Sequence, residues 1–203
     1  MPLSADTVRA NYERIHEEVG AGVTVVVATK YVSPEEMEAL AEAGVAVVGE
    51  NRLQDLEAKH ERFGERFRWH FIGHLQSRKA RDVSGLCELV HSLDSLSAAK
   101  RLTAPALVEV NLSGEDTKSG VRKDQLASFL DEARGLGAEL RGLMTMPPLA
   151  DDPEASRPYF RELRELAQEH SLTELSMGTS QDYRVAAEEG ATLVRVGSVV
   201  FGR

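Results

Sequence analysis

Residues 175–202 read LSMGTSQDYRVAAEEGATLVRVGSVVFG. The stretch holds two turns of small polar residues and glycine, at 176–180 and 197–198, each directly after a short apolar run. Between them, residues 181–189 predict a helix that Gly190 ends, and residues 192–196 predict a buried strand. Backbone N–H groups in such turns, backed by a helix N-terminus, form a phosphate cradle. The stretch therefore predicts a strand–helix–strand unit that binds a phosphorylated ligand.

The same alternation of strand and helix runs back through the chain. Eight strands separated by helices predict a parallel sheet, and eight is the number that closes a barrel. We therefore predict an α/β fold, a single (β/α)8 TIM-type barrel over residues 1–203 with an extra N-terminal helix at 3–19. An open doubly wound sheet is the alternative, although the G-x-G-x-x-G and P-loop motifs are absent. The predicted strands are 23–28, 45–48, 68–72, 89–92, 106–112, 140–143, 172–175 and 192–196.

Composition excludes several classes of partner. The 203 residues contain 24 Lys and Arg against 33 Asp and Glu, a net charge of −9. No basic excess exists to neutralise a nucleic acid, so we expect no nucleic-acid partner. No apolar leader and no run near the roughly 20 residues of a membrane span are visible, so we expect a cytoplasmic protein without a membrane partner. A lone cysteine, Cys87, excludes an internal disulfide.

Lys30 stands two residues beyond the predicted strand 23–28, at the carboxyl-end mouth of a barrel. By itself it has two interpretations: a solvated lysine at a strand end, or an amine that attacks a carbonyl to form a Schiff base. The other strand ends favour the second, because polar residues follow nearly every strand and functional groups collect on this face of such barrels. These residues are Glu50, Asn51, His74, Gln76, Asn111, Met144, Thr145 and Arg195.

The histidine pair His70 and His74 raises the question of a metal site. Their spacing would suit zinc on a helix, but the surrounding WHFIGH segment predicts a strand running into a turn. On a strand the two rings lie too far apart to share an ion, and no third ligand is evident. We therefore predict no metal site.

Seven blocks, in this order, resemble the pyridoxal phosphate homeostasis protein family. That family has a single-domain barrel similar to the N-terminal domain of alanine racemase. The resemblance covers residues 23–202, and its most specific parts are IGHLQ and the SMG-x-S-x-D pattern. The blocks are VVVATKY (25–31), VGENRLQD (48–55), RWHFIGHLQSRK (68–79), VNLSGEDTKSG (110–120), RGLMTM (141–146), LSMGTSQD (175–182) and VRVGSVVFG (194–202).

The resemblance implies a role for particular residues. Lys30 is the lysine that forms the internal aldimine with pyridoxal 5′-phosphate, and Arg195 faces the pyridine nitrogen. Ser180 and the backbone at Gly197 and Ser198 hold the phosphate. The remaining implied cofactor-binding residues are Asn51 and His74 near the ring, Met144 packed against the cofactor, and Ser176, Gly178 and Thr179 in the phosphate loop.

The resemblance also implies a carrier without catalytic residues. Arginine beside the pyridine nitrogen makes the ring a poor electron sink. A racemase needs a second acid/base, which in alanine racemase is a tyrosine from a second domain, and none of Tyr12, Tyr31, Tyr159 and Tyr183 is marked for that role. Tyr31 should point away from Lys30 if the strand alternation persists.

We therefore expect a monomeric protein of intracellular pyridoxal phosphate homeostasis. Its expected partners are pyridoxal phosphate itself and, as recipients, pyridoxal phosphate-dependent apo-enzymes. Two alternatives stay open: a pyridoxal phosphate-dependent amino-acid racemase, and a Schiff-base aldolase acting on sugar phosphates.

Overall fold

A computed structural model of the chain describes residues 3–115 and 118–202. Over these ranges the chain alternates between short, mostly buried strands and helices. The strands are β1 (Thr24–Ala28), β2 (Val47–Glu50), β3 (Arg68–Phe71), β4 (Leu89–Leu93), β5 (Ala106–Asn111), β6 (Val121–Arg122), β7 (Leu140–Met144), β8 (Glu174–Ser176) and β9 (Leu193–Val196).

Eight of these strands close into a parallel barrel. Their order is β4-β3-β2-β1-β9-β8-β7-β5, and β4 pairs with β5 to complete the ring. The last strand pairs with the first, with Val26 opposite Arg195. The two-residue β6 lies outside the ring, parallel to the end of β5. The predicted (β/α)8 barrel is therefore confirmed.

The helices surround the barrel, because each carries one apolar face toward the strands. On α7, for example, Phe160 and Leu163 are completely buried. Over the described ranges no helix is both long and apolar enough to cross a membrane. The helices are α1 (Ala5–Val19), α2 (Met37–Glu42), α3 (Leu53–Phe63), α4 (Ala80–Ser84), α5 (Leu96–Ala99), α6 (Leu126–Gly135), α7 (Arg157–Glu169), α8 (Tyr183–Glu188) and α9 (Ser198–Phe201).

Strand alternation divides the core into two layers. On β1, Val25 and Val27 pack toward the helices, whereas Val26 belongs to a separate cluster inside the barrel. This interior cluster is small, and the rest of the interior is filled by polar side chains from β3, β4, β8 and β9. Its buried members are Val26, Val47, Leu89, Leu107, Met144 and Leu193.

Most predicted element positions agree with the structure, and the differences have local causes. The start of the second predicted helix is a reciprocal capping box, in which the Ser33 N–H donates to the Glu36 carboxylate and the Glu36 N–H donates to Ser33 Oγ. The seventh barrel strand is Glu174–Ser176 rather than 172–175, because Leu172 still bonds to the end of α7. The sequence did not predict β6, whose two residues carry no strand periodicity.

Gly142 on β7 packs directly against the backbone of the neighbouring strand β8. A Cβ atom there would lie 1.8 Å from the backbone oxygen of Glu174 on β8. We expect Gly142→Ala to destabilise the fold by at least about 3 kcal/mol, since neighbouring backbone would have to move. Gly135→Ala is the control, because a Cβ there meets nothing within 4 Å at the end of α6. Urea unfolding monitors both, and equal stabilities would contradict the packing described.

Candidate functional site

Lys30 lies just past the carboxyl end of β1, in a turn closed by a bond from the Val32 N–H to the Thr29 carbonyl. Its side chain is exposed, and its Nζ lies 4.8 Å from the centroid of the Tyr31 ring. Strand alternation therefore ends at Thr29, and Tyr31 does not point away from Lys30 as predicted. Among the described residues no carboxylate pairs with the Lys30 amine.

A buried ion pair is hydrogen-bonded to the residue that precedes Lys30 in this turn. Glu50 at the end of β2 is completely buried, and Lys59 on α3 is nearly so. Thr29 Oγ1 donates to Glu50 Oε1 over 2.6 Å, and the Lys59 ammonium donates both to that carboxylate and, over 2.7 Å, to the Thr29 carbonyl. Because Thr29 precedes Lys30, this network fixes where the lysine leaves the barrel.

Lys59 is a further residue of this network that the sequence pattern could have indicated. It falls in the apolar stripe of α3, between the buried Leu56 and Phe63. A lysine on a buried helix face requires an acidic partner, and Glu50 was the buried strand-end acid available to supply it.

The two C-terminal turns meet at the end of the barrel next to β1. The Gly197 N–H donates to Ser180 Oγ over 3.0 Å, which joins the loop after β8 to the loop after β9. Gly178 has a φ of +90°, and a Cβ there would lie 2.5 Å from the Ala186 side chain, so only glycine fits. Asp182 accepts from the backbone and hydroxyl of Thr179 and holds this loop in shape.

The start of α9 presents unused backbone donors beside these loops. The N–H groups of Ser198 and Val199 have no acceptor in the part of the chain that the structure describes. First-turn N–H groups of a helix are always unpaired within the helix and attract anions. The predicted phosphate-binding residues are therefore together, with donors still available.

Arg195 on β9 is buried inside the barrel and bonds only to neutral acceptors. Its Nη1 donates to Ser176 Oγ, and its Nη2 donates to the Thr145 carbonyl over 3.0 Å and contacts Met146 Sδ at 2.9 Å. Burial lowers the pKa of Arg195 to about 10, and no carboxylate bonds to it among the described residues. A guanidinium of this kind can serve a ligand, because its Nε–H is not used by any described residue.

Two predicted residues lie deeper in the barrel than the turns. Ser176 is completely buried, and its hydroxyl is occupied by Arg195 and His91, so it faces the barrel interior rather than the phosphate turn. Met144 is also buried, in the interior cluster. The structure therefore places both beneath the mouth, and their contact with a cofactor stays a prediction.

Asn51 and His74 lie at the ends of β2 and β3. Asn51 Oδ1 is buried and has no partner among the described residues, an orphaned acceptor beside the site. Gly73 lets the loop after β3 pass close to Asn51, because a Cβ on residue 73 would lie 2.1 Å from the Asn51 carbonyl oxygen. His74 is largely exposed, with its Nδ1 3.7 Å from Asp94 Oδ2, and burial raises the pKa of Asp94.

The remaining histidines do not form a metal site. His70 bonds to His91 inside the barrel while His74 faces Asp94 at the mouth, so His70 and His74 have different surroundings. Over the described ranges no three His, Cys, Asp or Glu side chains converge as metal ligands. His91 was not among the predicted residues, although a histidine within the apolar run of β4 indicates a buried polar contact.

A cavity of about 890 Å³ lies elsewhere on the described structure. It is an open groove beside β5, β6 and α6, lined among others by Asn111, Lys118 and Lys123. No predicted cofactor-binding residue lines it, so cavity size does not identify the site.

Residues 3–203 match the sequence model of the family described as alanine racemase, N-terminal domain. The fold and site thus define a barrel of that class. A pyridoxal phosphate homeostasis protein of Aquifex aeolicus is 41% identical over 192 residues, covering 86% of this chain and 84% of that protein. This chain belongs to the pyridoxal phosphate homeostasis protein family.

Solved structures agree with this assignment. PipY of Synechococcus elongatus PCC7942, determined without PLP, superposes with a TM-score of 0.87 at 30% identity and covers 96% of this chain and 100% of that one. The same protein with PLP bound gives a TM-score of 0.86 at 29% identity, with the same coverage.

The Glu50–Lys59 pair yields a stability prediction. Lys59→Met should destabilise the protein by about 3–5 kcal/mol, because it leaves the buried Glu50 carboxylate without its cation. The double variant Glu50→Gln/Lys59→Met should recover a large part of that loss, since no buried charge remains. Lys100→Met at an exposed position is the control. Urea denaturation measures all three, and a double variant no better than Lys59→Met would contradict the buried-charge explanation.

His70 yields a pH prediction. Burial lowers its pKa from 6.5 to about 4, so the unfolded state takes up a proton that the folded state does not. Stability should therefore fall as the pH drops from about 6.5 toward 4, by up to about 3 kcal/mol from this group. His70→Phe should flatten that part of the profile in urea unfolding between pH 7.5 and 4.5. Parallel profiles for the two proteins would contradict the assignment.

Proposed function

We propose that this protein binds pyridoxal 5′-phosphate reversibly as a Schiff base on Lys30, and that it does so to hold and release the cofactor rather than to transform amino acids. The observation that carries the proposal is the pairing of β1 with β9. It brings together Lys30, with which no described carboxylate pairs, and the joined glycine-serine turns, and the buried Arg195 lies on β9 beside them. A relative of the same fold, PipY, has a structure with PLP bound.

The residues present fit such a ligand. Unused donors at Ser198 and Val199 suit a phosphate, and the exposed Lys30 amine suits an aldehyde. Asn51 Oδ1, which is buried and has no partner among the described residues, offers a further acceptor at the end of β2, on the other side of Lys30 from the turns. When bound, the cofactor supplies a conjugated ring that can withdraw electrons from an attached amine.

Lys30 acts as the nucleophile in the binding step. Its neutral amine adds to the aldehyde carbon, a C=N bond forms, and the aldehyde oxygen leaves as water. The step is reversible because water can add back to the same bond, which releases the free lysine. A carrier needs this reversibility, and the exposed position of Lys30 leaves water access.

The non-catalytic part of the proposal rests on Arg195 and the tyrosines. A guanidinium does not protonate a pyridine nitrogen as a carboxylic acid does, so the ring stays a weak electron sink. Tyr12 OH accepts from the Ala46 N–H, and Tyr183 OH donates to Glu18. These two hydroxyls are therefore committed to structural bonds.

We further propose that the protein works as a monomer in the cytoplasm and that apo-enzymes dependent on pyridoxal phosphate receive the cofactor. Large exposed apolar side chains are few among the described residues: Tyr31, Leu136, Met146 and Leu149. Scattered apolar side chains of this kind do not require a permanent partner. Size-exclusion chromatography with light scattering tests the monomer, and a dimer mass would refute it.

Lys30→Ala provides the direct test of cofactor binding. Wild-type protein mixed with pyridoxal phosphate should gain an absorbance band near the visible edge, and Lys30→Ala should not. Borohydride reduction should trap the adduct, and peptide mass spectrometry should locate it on Lys30. Lys100→Ala, an exposed lysine away from the site, should behave as wild type. A wild-type protein without a band, or an adduct on other lysines only, would overturn the proposal.

A panel of L-amino acids separates the carrier from the alternatives. The loaded protein should return each amino acid without inversion or loss of CO₂, as judged by chiral chromatography. Racemisation at enzyme-like rates that Lys30→Ala abolishes would establish a racemase instead. Cleavage of sugar phosphates without the absorbance band would establish an aldolase.

A further inference from the structure

A column of hydrogen bonds runs through the barrel interior beneath the site. His70 Nδ1 lies 2.9 Å from His91 Nε2, and His91 Nδ1 lies 2.7 Å from Ser176 Oγ. The Ser176 hydroxyl in turn receives a bond from Arg195 Nη1. All four side chains are buried, and His91 and Ser176 are completely so. The column therefore joins four strands, β3, β4, β8 and β9, across the barrel.

The donors in this column can be assigned by counting protons. Arg195 only donates, so Ser176 Oγ accepts from it and has its own proton left for His91 Nδ1. His91 then donates from Nε2 to His70 Nδ1. The opposite assignment leaves the Ser176 O–H without an acceptor, since its only described partners are Arg195 and His91. Every bond thus points away from Arg195, an arrangement in which each bond polarises the next.

The column ends at the amino-end face of the barrel. His70 Nε2 has no partner among the described residues and borders a cavity of about 180 Å³ that Arg68 and Glu88 also line. The other end is Arg195, which reaches the carboxyl-end site. The two histidines thus link a side chain of the site to the far side of the barrel without any exposed group between them.

Arg195 needs such support because its charge has no bonded carboxylate. Its other anchors are a backbone carbonyl and a thioether, so Ser176 is the only described hydroxyl or carboxylate side chain that orients it. The Ser176 hydroxyl keeps a single orientation as long as its own proton has an acceptor. Burial and the nearby Arg195 charge keep the pKa of His91 well below its usual value, so His91 remains that acceptor at neutral pH.

We propose that His91 is a positioning residue for Arg195: through Ser176 it holds the guanidinium in place at the carboxyl-end site. The inference rests on the proposed function for the identity of the ligand that the guanidinium faces. The column of hydrogen bonds itself is present in the protein without that ligand. His91 reaches the site only through Ser176 and contacts no ligand.

His91→Phe removes the acceptor while keeping a ring in the barrel. The Ser176 hydroxyl then no longer holds the Arg195 guanidinium in a single orientation, so we expect pyridoxal phosphate to bind about tenfold more weakly. The pH midpoint of the absorbance band should rise, because a less firmly held cation opposes protonation of the imine nitrogen less. His91→Gln should restore both values, since its amide can accept from Ser176 and donate to His70.

Two controls separate positioning from general stability. Leu89→Val disturbs the interior cluster two residues earlier on β4, so it should lower the melting temperature without moving the pH midpoint. In a Ser176→Ala background, His91→Phe should have no further effect on the midpoint, since the route through Ser176 is already broken. The inference would be overturned if Leu89→Val moved the pH midpoint as far as His91→Phe does. It would also be overturned if the effects of Ser176→Ala and His91→Phe on the midpoint were additive.

NMR of the unloaded protein keeps this test independent of the proposed function. We expect slowly exchanging Arg195 Nη protons in wild type and in His91→Gln, and fast exchange in His91→Phe. If wild type gains no absorbance band but the exchange pattern appears, the proposed function fails while the column stands. If the band forms and the Arg195 protons exchange alike in all three proteins, the inference fails while the proposed function stands.

Discussion

The pairing of β9 with β1 is the constraint on which the rest of the site depends. It sets Arg195 opposite Val26 and brings the ends of the first and last strands together. Lys30 and the turn at Gly197 are far apart along the chain, yet barrel closure makes them neighbours. In an open sheet these strands would be edges, and the lysine and the joined turns would have no reason to meet.

Closure also creates an interior that is too polar to be an ordinary core. Arg195, His91 and Ser176 occupy it together with a small apolar cluster. Burying such groups is costly unless each is hydrogen-bonded, and the column of bonds from His70 to Arg195 meets that requirement. At the carboxyl end of the barrel, Glu50 and Lys59 likewise satisfy each other's buried charges beside the turn that leads to Lys30. In both places the buried polar groups are hydrogen-bonded to partners from other elements of the barrel.

The sequence predicted the elements that depend on local patterns. Alternation of strands and helices, the Ser33–Glu36 capping box and Gly178 in its turn follow from periodicity and backbone geometry, and the structure agrees. Two failures were non-local: the pairing of β6 with β5 and the partnership of Lys59 with Glu50 depend on distant residues. The orientation of Tyr31 failed locally, because the chain turns after Thr29 and the strand alternation does not continue.

The sequence by itself determined the fold class and the family, and it predicted the two ends of the site, because strand periodicity, glycine-rich turns and short motifs are local properties of the chain. Only the tertiary structure decided what Arg195 and Ser176 contact. Ser176 reads as part of a phosphate turn, but the pleat directs its side chain inward, where His91 and Arg195 occupy its hydroxyl. The physical reason is register: a buried polar group bonds to whatever the neighbouring strands place beside it, and strand pairing is set by closure of the whole barrel.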